Sequence, residues 1–283
     1  MILEETLEML KTFYEKKKLG TPRLVRIGLK PGWTTIVGTE KLCGTAFRFS
    51  GPHNVYQMAE PDLIALKALV GESLMDIAGK HINSDIIQMR SIAVASMSAL
   101  SQPFLTGESL AERGFQAAPD RNQIRDMIKS DDIVTLIGYG GMIQNVLGRC
   151  KELHIADMRP VQSLLTMLIG EEIEYEPKSL TVHGADEDEA LLGSSDVVII
   201  TASSLVNGTF DDLISYAAPA RIKCLYGPSA SIIPDVLFNH GANFIMSHYI
   251  SNPDKFVESL ANDANMESSL RIHQTFQVIR NGH

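Results

Sequence analysis

Apolar residues recur at helical spacing from the start of the chain. Ile2, Leu3, Leu7, Leu10, Phe13 and Tyr14 predict a helix over 2–18, ended by Gly20 and Pro22. The period then shortens to two. Leu24–Leu29, Trp33–Val37 and Thr45–Phe49 read as short strands with turns at Pro31-Gly32 and Gly38-Thr39, an antiparallel meander. Helical spacing returns with Leu63, Leu66 and Leu69, behind Pro61 at a first-turn position. Ser73 is placed to cap a brief helix to His81, and Ser84 a longer one through Leu100. Small residues in that longer helix (Ala93, Ala95, Ser96, Ser98, Ala99) predict close packing against a neighbour. From Ser101 to Asp120 the periodicity fades and Pro, Gly, Ser and Gln gather, as in an inter-domain connection.

The second half alternates strand and helix. Asp120 is placed to cap a helix to Lys129. The β-branched run Ile133–Ile137 leads into Gly138, Gly140 and Gly141 and then an apolar-periodic helix, and the strand Leu153–Ala156 is closed by Asp157. There follow a helix at 160–169, a strand at Ser179–Val182, an acidic helix Asp186–Leu192 and an apolar strand to Thr201. Helix 209–217, strand Ile222–Tyr226, helix 233–239, strand Asn243–Met246 and helix 253–261 complete the series. Uninterrupted apolar strands between helices predict an α/β fold: a Rossmann-like parallel sheet with helices on both faces, preceded by a smaller α+β domain. At 283 residues two domains are expected, residues 1–115 and 120–283.

A net charge of −9 argues against nucleic acid and anionic membrane as partners. Three widely spaced cysteines (Cys43, Cys150, Cys224) offer neither a disulfide framework nor a metal knuckle. They fit a reducing cytoplasm, the expected location. The N-terminal stretch is amphipathic, unlike an apolar signal. The expected partner is a small-molecule metabolite or a metal chelate, and a homo-oligomer is compatible with the sequence.

The candidate chemistry lies at strand ends, because ligands of open parallel sheets bind beyond the carboxyl ends of the strands. Gly138, Tyr139, Gly140 and Gly141 would let backbone N–H groups approach a nucleotide-like ligand, so a branched side chain at Gly140 is expected to block binding. Asp157 would accept from ribose hydroxyls, and Arg159 would face a phosphate or an adenine ring. Thr201 and Ser203 follow one apolar strand; Gly227, Pro228 and Ser229 follow another. Ile143 stands where a third glycine would complete the dinucleotide fingerprint. His53, His81, His183 and His248 have no ligand spacing, and Asp186-Glu-Asp-Glu reads as dipole complement at a helix start. Trp33, Thr34 and Thr45 are candidate contributors from the meander. A metal is a possible cofactor, and no residue declares itself as a catalytic base.

Asp196-Val-Val-Ile-Ile-Thr-Ala-Ser-Ser-Leu-Val-Asn-Gly-Thr, followed by Gly227-Pro-Ser-Ala-Ser-Ile-Ile-Pro-Asp, resembles the domain family labelled "putative heavy-metal chelation". That resemblance implies a Rossmann-like C-terminal domain behind an enolase-N-terminal-like domain, with a ligand site between them and a role near metal homeostasis. The chain departs from the family pattern at Ala230-Ser231, where Thr-Pro is usual, and at Ser98-Ala99, where Asn-Ala is usual. Three other readings share the glycine loop or its surroundings: an NAD(P)-dependent oxidoreductase, an S-adenosylmethionine-dependent enzyme and a non-enzymatic metal binder.

Overall fold

A computed structural model describes residues 1–50, 55–56, 62–118, 123–161, 164, 180–250, 252–261 and 273–280. The opening helix, Ile2–Lys17, buries Ile2, Leu7, Leu10 and Tyr14, the positions its periodicity selects. Strands β1 (Leu24–Lys30), β2 (Gly32–Gly38) and β3 (Cys43–Arg48) form the antiparallel meander. Its register sets Trp33 opposite Phe47, so both rings project from one face of the sheet.

Helices Leu63–Ala68, Leu74–His81 and Ile87–Ser101 follow. Ser73 caps the second, its hydroxyl accepting from the Asp76 N–H at 3.3 Å. Ser84 does not cap the third; it accepts from the Ile86 N–H at 3.2 Å, one turn short of that helix. Helix Ile87–Ser101 is buried almost all round, and its small residues let β3 come unusually near. A Cβ on Gly44 would sit 2.1 Å from the Ala95 carbonyl oxygen and 2.3 Å from the Ala99 nitrogen. Thr34, Gln88 and Ser91 tie the same interface: the Ser91 hydroxyl lies 2.7 Å from Thr34 Oγ1, and Gln88 Nε2 donates to that atom at 3.1 Å.

Residues 101–118 are structured, not a linker. They hold helix Gly107–Glu112 and strand β4 (Phe115–Ala118). A helix of six residues and a strand of four are too short to show a period, which is why this segment reads as irregular.

β4 belongs to an eight-stranded sheet with β5 (Ile133–Ile137), β6 (Glu152–Asp157), β7 (Leu180–Gly184), β8 (Val197–Thr201), β9 (Ile222–Tyr226), β10 (Phe244–Ile250) and β11 (His273–Arg280). The order is β4-β11-β10-β9-β8-β5-β6-β7. The stretch from β10 to β7 is wholly parallel, whereas β11 and β4 add antiparallel strands at one edge. Read from β5, the parallel strands run in the doubly wound order, with its switch point between β5 and β8.

Strand β8 shows how the sheet is sandwiched. Val197 and Ile199 join an apolar cluster with Ile124, Met142, Ile143 and Val146. Val198 and Ile200 join the other, which runs without a break through Phe210 and Val236 to Ile92, Met97 and Leu10. The amino-terminal helices therefore share one apolar core with the helices that follow β8 and β9, against which they pack. Pro61 and Asp120, most of the 160–169 helix, and Ser179 lie outside the described residues. Among those described, no helix is long and apolar enough to cross a membrane.

Candidate functional site

β5 ends at Ile137, and Gly138 turns the chain with φ of +95°. A Cβ there would meet Thr201 Cγ2 at 3.0 Å, so both the conformation and the space call for glycine. Gly140 and Gly141 have no such requirement: neither has positive φ, and a Cβ on either meets nothing within 4 Å. The glycine constraint thus falls at Gly138, two residues before Gly140, where the sequence pattern places it. The helix behind the loop is also shorter than expected, only Ile143–Val146. So short a helix has little dipole to offer a pyrophosphate.

The loop is clasped to the next strand. The Tyr139 N–H donates to Asp157 Oδ2 at 2.7 Å. Arg159 donates to Asp157 Oδ1 from its backbone N–H at 2.8 Å and from Nε at 2.9 Å, and to Oδ2 from Nη2 at 2.7 Å. The same Nη2 reaches the Tyr139 carbonyl at 3.0 Å. A carboxylate has about four lone-pair positions, and here all are taken. Asp157 therefore has no acceptor left for a ribose diol while Arg159 stays in place. Burial pushes the Asp157 carboxyl up, but the hydrogen bonds from Arg159 and Tyr139 outweigh it and hold the group below its usual range. The same pairing raises Arg159 above its ordinary value.

Around this clasp opens a cavity of about 830 Å³. Gly138, Tyr139, Gly140, Asp157, Arg159, Thr201, Ser203, Gly227 and Pro228 all line it. Thr201 Oγ1 and Ser203 Oγ lie 3.1 Å apart at the end of β8. Gly141 is exposed beside the lining. Ser229 is fully buried, and its hydroxyl accepts from the Phe47 N–H at 2.8 Å, bonding the end of β9 to the meander.

That bond sets β3 across the mouth of the parallel strands, where Trp33, Phe47 and Phe49 form an aromatic wall. Phe47 and Phe49 meet edge to face at 5.0 Å. Trp33 packs against His248 at 5.6 Å between centroids. Thr34 and Thr45 are buried in the meander and do not line the cavity.

The cavity is also lined by carboxylates. Asp186, Asp188 and Glu189, which the sequence suggests as dipole complement at a helix start, follow β7, and Asp212, not singled out in the sequence, comes from helix Phe210–Tyr216. Asp188 Oδ1 is buried with no hydrogen-bond partner among the described residues. Burial, then the charges of Asp157 and Asp186, push its carboxyl up to about 6. The available signal was position: Ala185-Asp-Glu-Asp-Glu directly follows a strand of the sheet, as the other candidate segments do. Phe47 and Phe49 were legible only as alternate residues of one strand.

The thiols stand apart from the cavity. Burial pushes Cys43 up to about 12 and raises Cys150 and Cys224. His53 lies outside the described residues, and His183 meets His154 rather than gathering with the other candidate histidines. Among the described residues no three or more His, Cys, Asp or Glu side chains form a ready metal cage.

A profile of the family described as "Putative heavy-metal chelation" matches residues 123–271. A protein named "Uncharacterized protein" from Methanocaldococcus jannaschii is 25% identical over 189 residues, 66% of this chain and 64% of that relative, so less than two thirds of its length is matched. Two crystal structures of proteins with unknown function from the same family are similar over nearly the whole chain. One, from Pyrococcus horikoshii, superposes with a TM-score of 0.67 at 19% identity, covering 99% of this chain and 100% of that one. The other, from Desulfitobacterium hafniense, gives 0.67 at 18% identity, covering 98% and 100%. At these identities the likeness is one of fold.

Proposed function

The chain belongs to the family described as "Putative heavy-metal chelation", and from that premise we propose that it binds a small planar metabolite, neutral or cationic, in the cavity between its two sheets. The supporting observation is the composition of that cavity. The lining combines the aromatic rings of Trp33, Phe47 and Phe49 with the carboxylates of Asp186, Asp188, Glu189 and Asp212, while Arg159, the one arginine among the described lining residues, is already neutralised by Asp157. A flat ring stacks on the wall, and a positive charge is drawn to the carboxylates and to the aromatic faces. The cavity volume lies within the usual range for small-molecule pockets.

The same pattern works against a pyrophosphate. A cavity of this size is on the order of 10 Å across, and like charges at that separation cost roughly 1–2 kcal/mol per pair at an effective dielectric near 20. Among nucleotide-like ligands, S-adenosylmethionine, with its cationic sulfonium and flat base, suits these charges better than NAD or NADP. The link to heavy metals enters through the ligand: a planar heteroaromatic with ring donors both stacks and chelates, and its cationic metal complex gains further from the acidic side. Thr201 and Ser203 supply hydroxyls at the inner end, and Asp188 supplies a carboxyl that changes charge near pH 6.

Trp33 is the chain's single tryptophan and lines the cavity, so its emission reports ligand there without background. Titration with S-adenosylmethionine, a pterin, NAD and NADP is expected to shift Trp33 emission for one of the first two and not for the last two. A response to NADP alone, abolished in Arg159→Ala, would overturn the reading in favour of an oxidoreductase.

A further inference from the structure

Outside the cavity, on the exposed face of β6 and β7, two imidazoles point at each other. The parallel register pairs His154 with Thr181 and Ala156 with His183, so all three polar side chains share one face two residues apart. His154 Nδ1 lies 3.2 Å from His183 Nε2. Thr181 Oγ1 sits between them, 2.7 Å from the first and 2.9 Å from the second. The outer nitrogens face carboxylates: His183 Nδ1 is 3.0 Å from Glu187 Oε2, and His154 Nε2 is 3.7 Å from Glu152 Oε2.

Glu187 accepts from His183 when that ring carries its proton on Nδ1, which leaves a lone pair on the inner Nε2. His154 Nε2 stands 3.7 Å from Glu152, near enough for attraction but beyond a hydrogen bond, and the tautomer protonated there leaves a lone pair on the inner Nδ1. Thr181 has one hydroxyl proton and can donate it to only one of the two. With both rings in that tautomer, two inner lone pairs share a single hydroxyl proton, an arrangement that a cation would complete.

We infer that His154 and His183 form a binding site for one borderline transition-metal ion, of the Zn²⁺ or Ni²⁺ class. At a metal–nitrogen distance near 2.05 Å, two tetrahedral donors stand about 3.3 Å apart and two donors at right angles about 2.9 Å apart. The separation of 3.2 Å falls between these two values. Both side chains are 20% exposed, so the ion reaches them from solvent. Imidazole ligands favour Zn²⁺, Ni²⁺ and Cu²⁺ over hard cations. The charge around the pair is negative: among the described residues Glu187 pairs only with His183, and Lys151 engages Oε1 of Glu152 at 2.9 Å. Two protein ligands leave two or more positions open, so the ion can arrive or leave attached to a second, bidentate chelator. The site does not depend on the cavity reading.

Calorimetric titration of the full chain with ZnCl₂ in a non-chelating buffer tests it. One ion per chain is expected. Binding should weaken at least about tenfold in both His154→Gln and His183→Gln, and by roughly tenfold in Glu187→Gln, which acts by orienting His183. Trp33→Ala should bind zinc as the wild type does, separating this site from the cavity. Circular dichroism in excess chelator should be identical for all four variants. No zinc uptake by the wild type, or undiminished affinity in either histidine variant, would overturn the inference.

Discussion

The carboxyl of Asp157 is held below its usual range and that of Asp188 is lifted to about 6, so the two link stability to pH with opposite sign. For Asp157 the folded state prefers the charged form. Its contribution is present above the unfolded value near pH 4 and lost as pH falls through the lower folded value. For Asp188 the folded state prefers the neutral form. Its contribution is present below about pH 4 and lost as pH rises through about 6. Asp188→Asn should therefore melt higher than the wild type at pH 8, by about 1 kcal/mol once partial solvent screening is allowed for. The gain should vanish below about pH 4, where both side chains are neutral. Melting curves of both proteins at pH 4, 6 and 8 check this. A gain of equal size at all three would show that Asp188 stays charged throughout and that its orphaned oxygen is solvated. The same variant should bind a cationic ligand more weakly, since it removes a negative charge from the cavity.

At the scale of elements, what could be read from the chain follows what each element depends on. Helix Ile2–Lys17 and the strands β5, β8 and β9 carry their own patterns, and the sequence predicts them closely. β4 and β11 owe their form to each other and to β10, through pairs such as Val278 with Ala117 and Ile245 with Val278. Pairing of that kind has no local period, so neither strand was foreseen. The site divides likewise. Its strand-end glycines and hydroxyls were legible because the carboxyl edge of a parallel sheet is a fixed place. The aromatic wall was not, since it depends on how the meander lies across that edge.

The meander's position rests on Gly44, where β3 touches the backbone of helix Ile87–Ser101. Gly44→Ala would put a methyl group into main-chain atoms that cannot swing aside. It should cost upwards of about 3 kcal/mol, the severe end of overpacking, and displace the wall from the cavity. Denaturant unfolding measures the first effect and Trp33 emission the second. A loss under about 1 kcal/mol would mean that strand and helix separate easily.

For the whole molecule, the larger apolar cluster joins residues from Ile2 to Val278. Several polar ties cross the same boundary. Arg113 bonds to Asp235 and to the Phe104 carbonyl, its guanidinium packing over Phe13 at 5.3 Å and Phe115 at 5.8 Å. Ser101 Oγ accepts from the Ile233 N–H at 3.1 Å, and Ser229 Oγ accepts from the Phe47 N–H at 2.8 Å. A fragment of residues 120–283 would lack β4, leaving β11 as an open edge, and would expose the apolar surfaces of helices Ser203–Asn207 and Asp235–Asn239 that the amino-terminal helices cover. Such edges and patches promote association. We expect this fragment to be aggregated or molten, with native-like far-ultraviolet dichroism but no cooperative melt. Co-expression with residues 1–119 should restore a soluble complex, because the missing cover and strand return together. Within that complex Asp235→Ala should weaken association by about 3–5 kcal/mol, since it leaves the Arg113 guanidinium buried without its partner. A monomeric fragment with a sharp transition would instead show that the parallel sheet closes its own core, and that the amino-terminal half serves only to wall the cavity.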